Sequence, residues 1–227
     1  MISLDNLYEK LMIDQLFIST AKSYKFFWFK AIISLVCKNN TETEVVLSYE
    51  DIINRMILMS FDCIRNNPDA FDENDRLLMI YKHMENSIPN QDDLRLIIEY
   101  LEQDNDKEIR KYKRQLTENV PYRFLSPYLN FTGEMWYLPK TKLISEINKY
   151  DSVPYHFIDY NGLKTEIIVK ADWIKLLKHN RNKLNQYFDD RLLYYLDNKS
   201  DKNEQCGCIN RIHFRTALIG WKISMKE

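Results

Sequence analysis

The stretch KSYKFFWFKAIISLVCK, Lys22 to Lys38, decides the fold. Tyr24, Phe27, Trp28, Ala31, Ile32, Leu35 and Val36 recur at helical spacing, while Phe26, Phe29 and Ile33 fill the opposite side. A helix that is apolar almost all round belongs in an interior, so this segment is expected at the centre with the remaining chain packed about it. Lys30 and Lys38 interrupt the apolar run, which therefore falls short of the roughly 18 residues of a membrane span. The chain is expected to be soluble and cytoplasmic.

Working outward, Leu4, Leu7, Leu11 and Phe17 predict an amphipathic first helix. On the other side, Val45 to Leu47 reads as a short β-branched strand, and Ser48 with Asp51 three residues later reads as a capping box opening a helix that buries Ile52, Ile53, Met56 and Ile57. Further helices are expected at about 74–84, 92–101 and 107–116. A long helix capped by Asp172 should turn Trp173, Leu176, Leu177, Leu184, Tyr187, Phe188, Leu192 and Tyr195 inward.

Two stretches break the helical pattern. In VPYRFLSPYL, Val120 to Leu129, Pro121 and Pro127 stop helix propagation, so extended chain or tight turns are expected, presenting Tyr122, Arg123 and Phe124 rigidly. In YHFIDYNGLKTEIIV, Tyr155 to Val169, the Asn161-Gly162 pair between β-prone runs predicts a hairpin with a type I′ turn. The expected class is mainly α, an α+β chain with winged-helix-like elements and a small β-hairpin near 155–169. Residues 1–200 are expected to form one α-rich binding domain, followed by a loop and short strand or tail over 201–227.

Composition agrees with this class. The 227 residues are 45% hydrophobic, enough for a full core, and four glycines are far fewer than the roughly 7% usage of an average protein. Cys37, Cys63, Cys206 and Cys208 are scattered, which suits free thiols in a reducing compartment. The net charge of −1 hides a segregation: Asp62 to Asp106 holds twelve acidic against four basic residues, and Lys107 to Lys149 nine basic against four acidic. Such asymmetry can build the basic face that a polyanion needs, or can be two ordinary solvated surfaces.

Chemistry-bearing motifs are few. Cys206, Cys208 and His213 leave a zinc site at least one ligand short, and no Gly-rich phosphate loop, G-x-S-x-G or H-E-x-x-H occurs. No catalytic centre, metal, cofactor or small-molecule substrate is expected. What remains is basic and aromatic. Lys22, Tyr24 and Lys25 open the central helix, where they could hold a phosphate or simply keep an exposed helix end soluble. Lys107, Arg110, Lys111 and Arg114 share one stripe of a helix, and Tyr122 with Arg123 offers stacking and phosphate contact, or a tie between a loop and a carboxylate.

In order, KSYKFFWFKAIISLV, LSYEDIINRMI, VPYRFLSPYL, and PYHFID with IIVKADWIKLLKHNRNKL resemble the region N-terminal to the nuclease cassette in bacterial HNH-endonuclease-domain proteins. The resemblance covers residues 15–198. It implies a recognition module of restriction-like or phage-defence proteins. The sequence departs from that pattern at NKSDKNEQCGCINRIHF, Asn198 to Phe214, which stands where the junction to the cassette is expected, and His213 alone cannot form its metal centre. The expectation is therefore a non-catalytic module binding DNA or RNA. The alternative is a phage or mobile-element inhibitor of a protein or ribonucleoprotein defence complex such as a CRISPR effector, with Asp92, Asp93, Glu99 and Glu102 mimicking nucleic acid. A nuclease supplied by another chain is a third possibility.

Overall fold

A computed structural model describes residues 12–17, 23–88, 93–103 and 105–200. It is mainly helical with one small antiparallel sheet. After a four-residue helix α1 (Ile13–Leu16), the apolar stretch forms α2 (Tyr24–Lys38), in which Phe26 to Ser34 and Val36 are all buried. Around it pack α3 (Tyr49–Asn66), α9 (Ala171–His179) and α10 (Arg181–Ser200). Aromatic side chains mediate the contacts. Phe29 meets Phe124 at 5.0 Å and Phe188 at 4.9 Å, and Trp28 meets Tyr49 edge-on at 5.7 Å.

Lys30, which interrupts the apolar run in the sequence, is itself buried and ion-pairs with Asp189 of α10. Removing one partner of such a pair strands a charge and costs about 3–5 kcal/mol.

Strand β1 (Val45–Ser48) joins α2 to α3, and β2 (Tyr155–Phe157) and β3 (Glu166–Val169) form the hairpin. The order is β1-β3-β2, all antiparallel. Rows Val45–Val169–Tyr155 and Leu47–Ile167–Phe157 face the core, while Val46–Ile168–His156 face outward. Period-two alternation of these short strands thus delivers one apolar face to α3. Ser48 caps α3 by accepting from the Asp51 N–H at 3.0 Å. Its hydroxyl also donates to the Asp51 carboxylate, which therefore does not reach back as in a reciprocal capping box.

Four helices follow: α4 (Arg76–Glu85), α5 (Leu94–Glu102), α6 (Lys107–Thr117) and the short α7 (Val120–Arg123). Of the two expectations for the proline-containing stretch, tight turns are found and extended chain is not: it is one helical turn followed by a 3-10 turn. Pro121 lies in the first turn of α7 and Pro127 in that of a 3-10 turn, Ser126–Tyr128, where a missing N–H leaves no hydrogen bond unmade. Val120, Tyr122, Phe124, Leu125, Tyr128 and Leu129 are buried, so the stretch is a wedge of core. Its anchor is the Tyr155 hydroxyl, which donates to the Pro121 carbonyl at 2.5 Å and accepts from Trp28 Nε1 at 3.2 Å.

A 3-10 turn (Gly133–Tyr137) leads to α8 (Lys140–Ile147) and the hairpin. The type I′ turn is not formed. Gly162 has φ 55° but Asn161 has φ −140°, and a 3-10 turn over Gly162–Lys164 connects the strands. Tertiary contacts explain the difference: Leu163 is buried, the Thr165 hydroxyl accepts from Asn161 N–H, and the turn packs back onto α3 and α6.

The expected long C-terminal helix is two, broken at buried Asn180, whose side-chain amide donates to the Leu176 carbonyl at 2.9 Å. Lys170, not Asp172, occupies the N-cap position of α9, and Asp172 lies in its first turn. The predicted contacts of Leu4, Leu7 and Leu11, the residue Lys22, and the tail with Cys206, Cys208 and His213 lie outside the described residues. Among those described, no helix is long and apolar enough to cross a membrane.

Candidate nucleic-acid interface

The basic helix α6 begins at Asp106, whose carboxylate accepts from the backbone N–H groups of Glu108 (2.9 Å) and Ile109 (3.1 Å). Ile109 and Leu116 are buried, which turns the stripe of Lys107, Arg110, Lys111 and Arg114 to the other side. Lys107, Lys111 and Arg114 are exposed and Arg110 is half-buried. Lys111 meets Glu108 at 3.3 Å, an exposed pair that contributes little to stability. Lys113 belongs to the other face. Its side chain is 1% exposed, donating to the Leu101 carbonyl at 2.8 Å and lying 3.7 Å from Glu50.

A second group of cations surrounds α7. Arg123 is half-buried between the buried Tyr122 and Phe124, and its guanidinium stacks over the Trp136 ring at 4.4 Å. Lys25 and Lys140 lie close enough to feel its charge. Burial, then Arg123, lowers the proton affinity of Lys25. Burial does the same to Lys140, with Arg123 adding to the effect and Glu118 opposing it. Neither lysine ion-pairs with a carboxylate among the described residues. Lys25 donates to the Leu16 carbonyl at 3.2 Å and Lys140 to the Glu118 carbonyl at 2.5 Å. Like charges held together in this way gain from any anion placed between them. Glu118 directly follows α6, so Lys140 links the two basic groups.

Two residues expected to touch a ligand have structural partners. Tyr122 is 1% exposed, stacked on Phe157 at 5.3 Å, and carries the Lys140 ammonium 4.4 Å above its ring. Burial raises its phenol to about 12. The prolines place it inside because they start a helix rather than an extended segment, so it holds a cation in place and has no free face for a base. Tyr24 accepts from the Arg76 N–H at 2.6 Å, completing the start of α4. Conversely, Lys140 and Trp136 were not singled out by the sequence. Their signal is the run MWYLPKTK, Met135 to Lys142, in which aromatic and basic residues flank a proline.

The acidic half behaves differently. Asp75, Asp93 and Asp106 are the N-caps of α4, α5 and α6, each accepting a backbone N–H. Asp106 also accepts from the Tyr100 hydroxyl at 2.6 Å and lies 2.7 Å from His83 Nε2. Burial works against ionisation of Asp106, yet these hydrogen bonds and the neighbouring His83 hold it down to about 2. Glu99 and Glu102 remain exposed on α5, and Asp92 lies outside the described residues.

Among the described residues no cluster of three His, Cys, Asp or Glu side chains is placed to hold a metal. An open groove of about 640 Å³ beside α9 is lined by Glu42, Asp172, Lys175, Lys178 and His179, with Lys178 donating to the Asn39 and Thr41 carbonyls. Comparison of the chain with protein-family models, with curated proteins and with solved structures gives no match.

Proposed function

We propose that this chain is a non-catalytic nucleic-acid-binding or specificity module related to the N-terminal region of HNH-type restriction or phage-defence endonucleases. The observation that carries the reading is the group Arg123, Lys25 and Lys140, in which each lysine feels the Arg123 charge and none of the three ion-pairs with a carboxylate among the described residues, beside the exposed stripe on α6. Anionic phosphates relieve that repulsion, and each phosphate neutralised releases counterions. Lys107, Lys111 and Arg114 extend the track. Tyr122 supports it from behind, as the platform of the Lys140 ammonium.

The sheet order β1-β3-β2, with a strand from the N-terminal half returning to pair with the second hairpin strand, supports a winged-helix relationship. The hairpin turn folded onto α3 and α6 departs from a projecting wing.

The test is binding of the purified protein to labelled duplex DNA, single-stranded DNA and RNA across a salt series. The expected result is affinity that falls steeply with salt, with a log–log slope of about −4.5 on duplex if five cations reach phosphates. Absence of binding to all three at low salt overturns the reading and leaves an inhibitor of a protein or ribonucleoprotein complex in its place.

A further inference from the structure

Trp136 and Tyr137 end a 3-10 turn that lies against α8, and between the two elements runs a groove of about 520 Å³. Met135 and Leu138 supply its apolar wall, while Thr141, Lys142, Ser145 and Glu146 of α8 supply its polar one. Glu146 is neutralised by Lys149 at 2.7 Å. The side chains of Thr141, Lys142 and Ser145 make no hydrogen bond among the described residues and are exposed. Tyr137, which stands in the chain between the lining residues Met135 and Leu138, is 83% exposed, a large aromatic ring left in water. Its chain neighbour Trp136 bears Arg123, the centre of the cation group.

We infer that this groove binds an unpaired nucleobase, so that the ligand of the basic surface is single-stranded nucleic acid. The inference rests on the nucleic-acid reading above and names its substrate class. An exposed ring adjoining a cation group is the arrangement that binds single strands, because every base has a face to stack and every link a phosphate to neutralise. In a duplex both faces of a base are already stacked, and Tyr137 has nothing to contribute. The groove's size suits one base with its sugar. Its hydroxyls from Thr141 and Ser145 can meet the donors and acceptors on a base edge, and Lys142 lies where an adjoining phosphate would pass.

The experiment is fluorescence anisotropy with a labelled 12-nucleotide DNA single strand and with the duplex of the same sequence. It compares the wild type with Tyr137→Ala, with Ser145→Phe to fill the groove, and with Arg123→Gln/Lys140→Gln. Tyr137 and Ser145 are exposed, so both groove variants are expected to fold, as circular dichroism will check. The wild type should bind the single strand more tightly than the duplex. Tyr137→Ala and Ser145→Phe should each weaken single-strand binding about tenfold with an unchanged salt slope. Equal or tighter duplex binding overturns the inference. So does an unchanged single-strand affinity in both groove variants while the cation variant weakens binding, which leaves the nucleic-acid reading standing. If neither strand form binds, the parent reading falls and this inference with it.

Discussion

The acidic segment Asp62–Asp106 and the basic segment Lys107–Lys149 carry opposite charge excesses in the sequence, yet the fold uses them in unlike ways. Four aspartates of the first are taken up by the architecture: Asp75, Asp93 and Asp106 each cap a helix, and Asp62 pairs with Arg65. In the second segment only Lys113 is built into the interior. Lys107, Lys111 and Arg114 face water, and Arg123 with Lys140 is held against aromatic rings. An excess of one sign therefore points to a ligand only where the charges are left over after the helices have been capped and the core closed.

The largest effect that separates the two segments is expected at Asp106. Asp106→Ala removes the cap of α6 and strands the Tyr100 hydroxyl and His83, and should lower unfolding stability by about 3 kcal/mol, read from urea denaturation. Lys113→Met is next. It leaves the buried Leu101 carbonyl without its donor and should cost about 2 kcal/mol, making Lys113 behave like the acidic residues rather than like its basic neighbours. Loss of less than about 0.5 kcal/mol in either variant would remove the distinction drawn between occupied and free charges.

Acid sharpens the same comparison. The Asp106 carboxyl is depressed to about 2 in the folded chain, below its unfolded value of 3.8. Its contribution is therefore complete above about pH 4 and is lost as pH falls from there towards 2. Urea midpoints of the wild type should decline through that window, and those of Asp106→Asn should decline less. The smallest stability effect is expected on the exposed stripe, where Lys107→Gln/Arg114→Gln should change unfolding by no more than about 0.5 kcal/mol. Nucleic-acid affinity of that variant should nevertheless fall, with a log–log salt slope shallower by about 1–2.

Much of the architecture is legible in the sequence because it depends on local periodicity. The central helix announces itself by being apolar on every side, and the stripe on α6 follows from side-chain spacing alone. What is not legible depends on distant partners. Lys30 looks like an interruption until Asp189, far along the chain, is seen to pair with it. Asn161-Gly162 carries a strong local preference for a two-residue turn, but burial of Leu163 against α3 and α6 outweighs it. Asn180 ends α9 through a side-chain bond to Leu176 inside an otherwise unbroken helical pattern.

The candidate site divides similarly. Arg123 and the α6 cations are visible as residue types, whereas the inward placement of Tyr122 needed the prolines to be seen starting helices. Lys140 acquires its meaning only from its position on the Tyr122 ring beside Arg123.

The most direct test of the account is the salt dependence of nucleic-acid binding by the wild type and by Arg123→Gln/Lys140→Gln, measured side by side on proteins shown to unfold at the same urea concentration within about 0.5 M. If these cations hold phosphates, the variant should bind at least tenfold more weakly at low salt, with a slope on single strands shallower by about 1.4. An unchanged affinity and slope would contradict the account, and would make the basic group a solvated surface with no ligand.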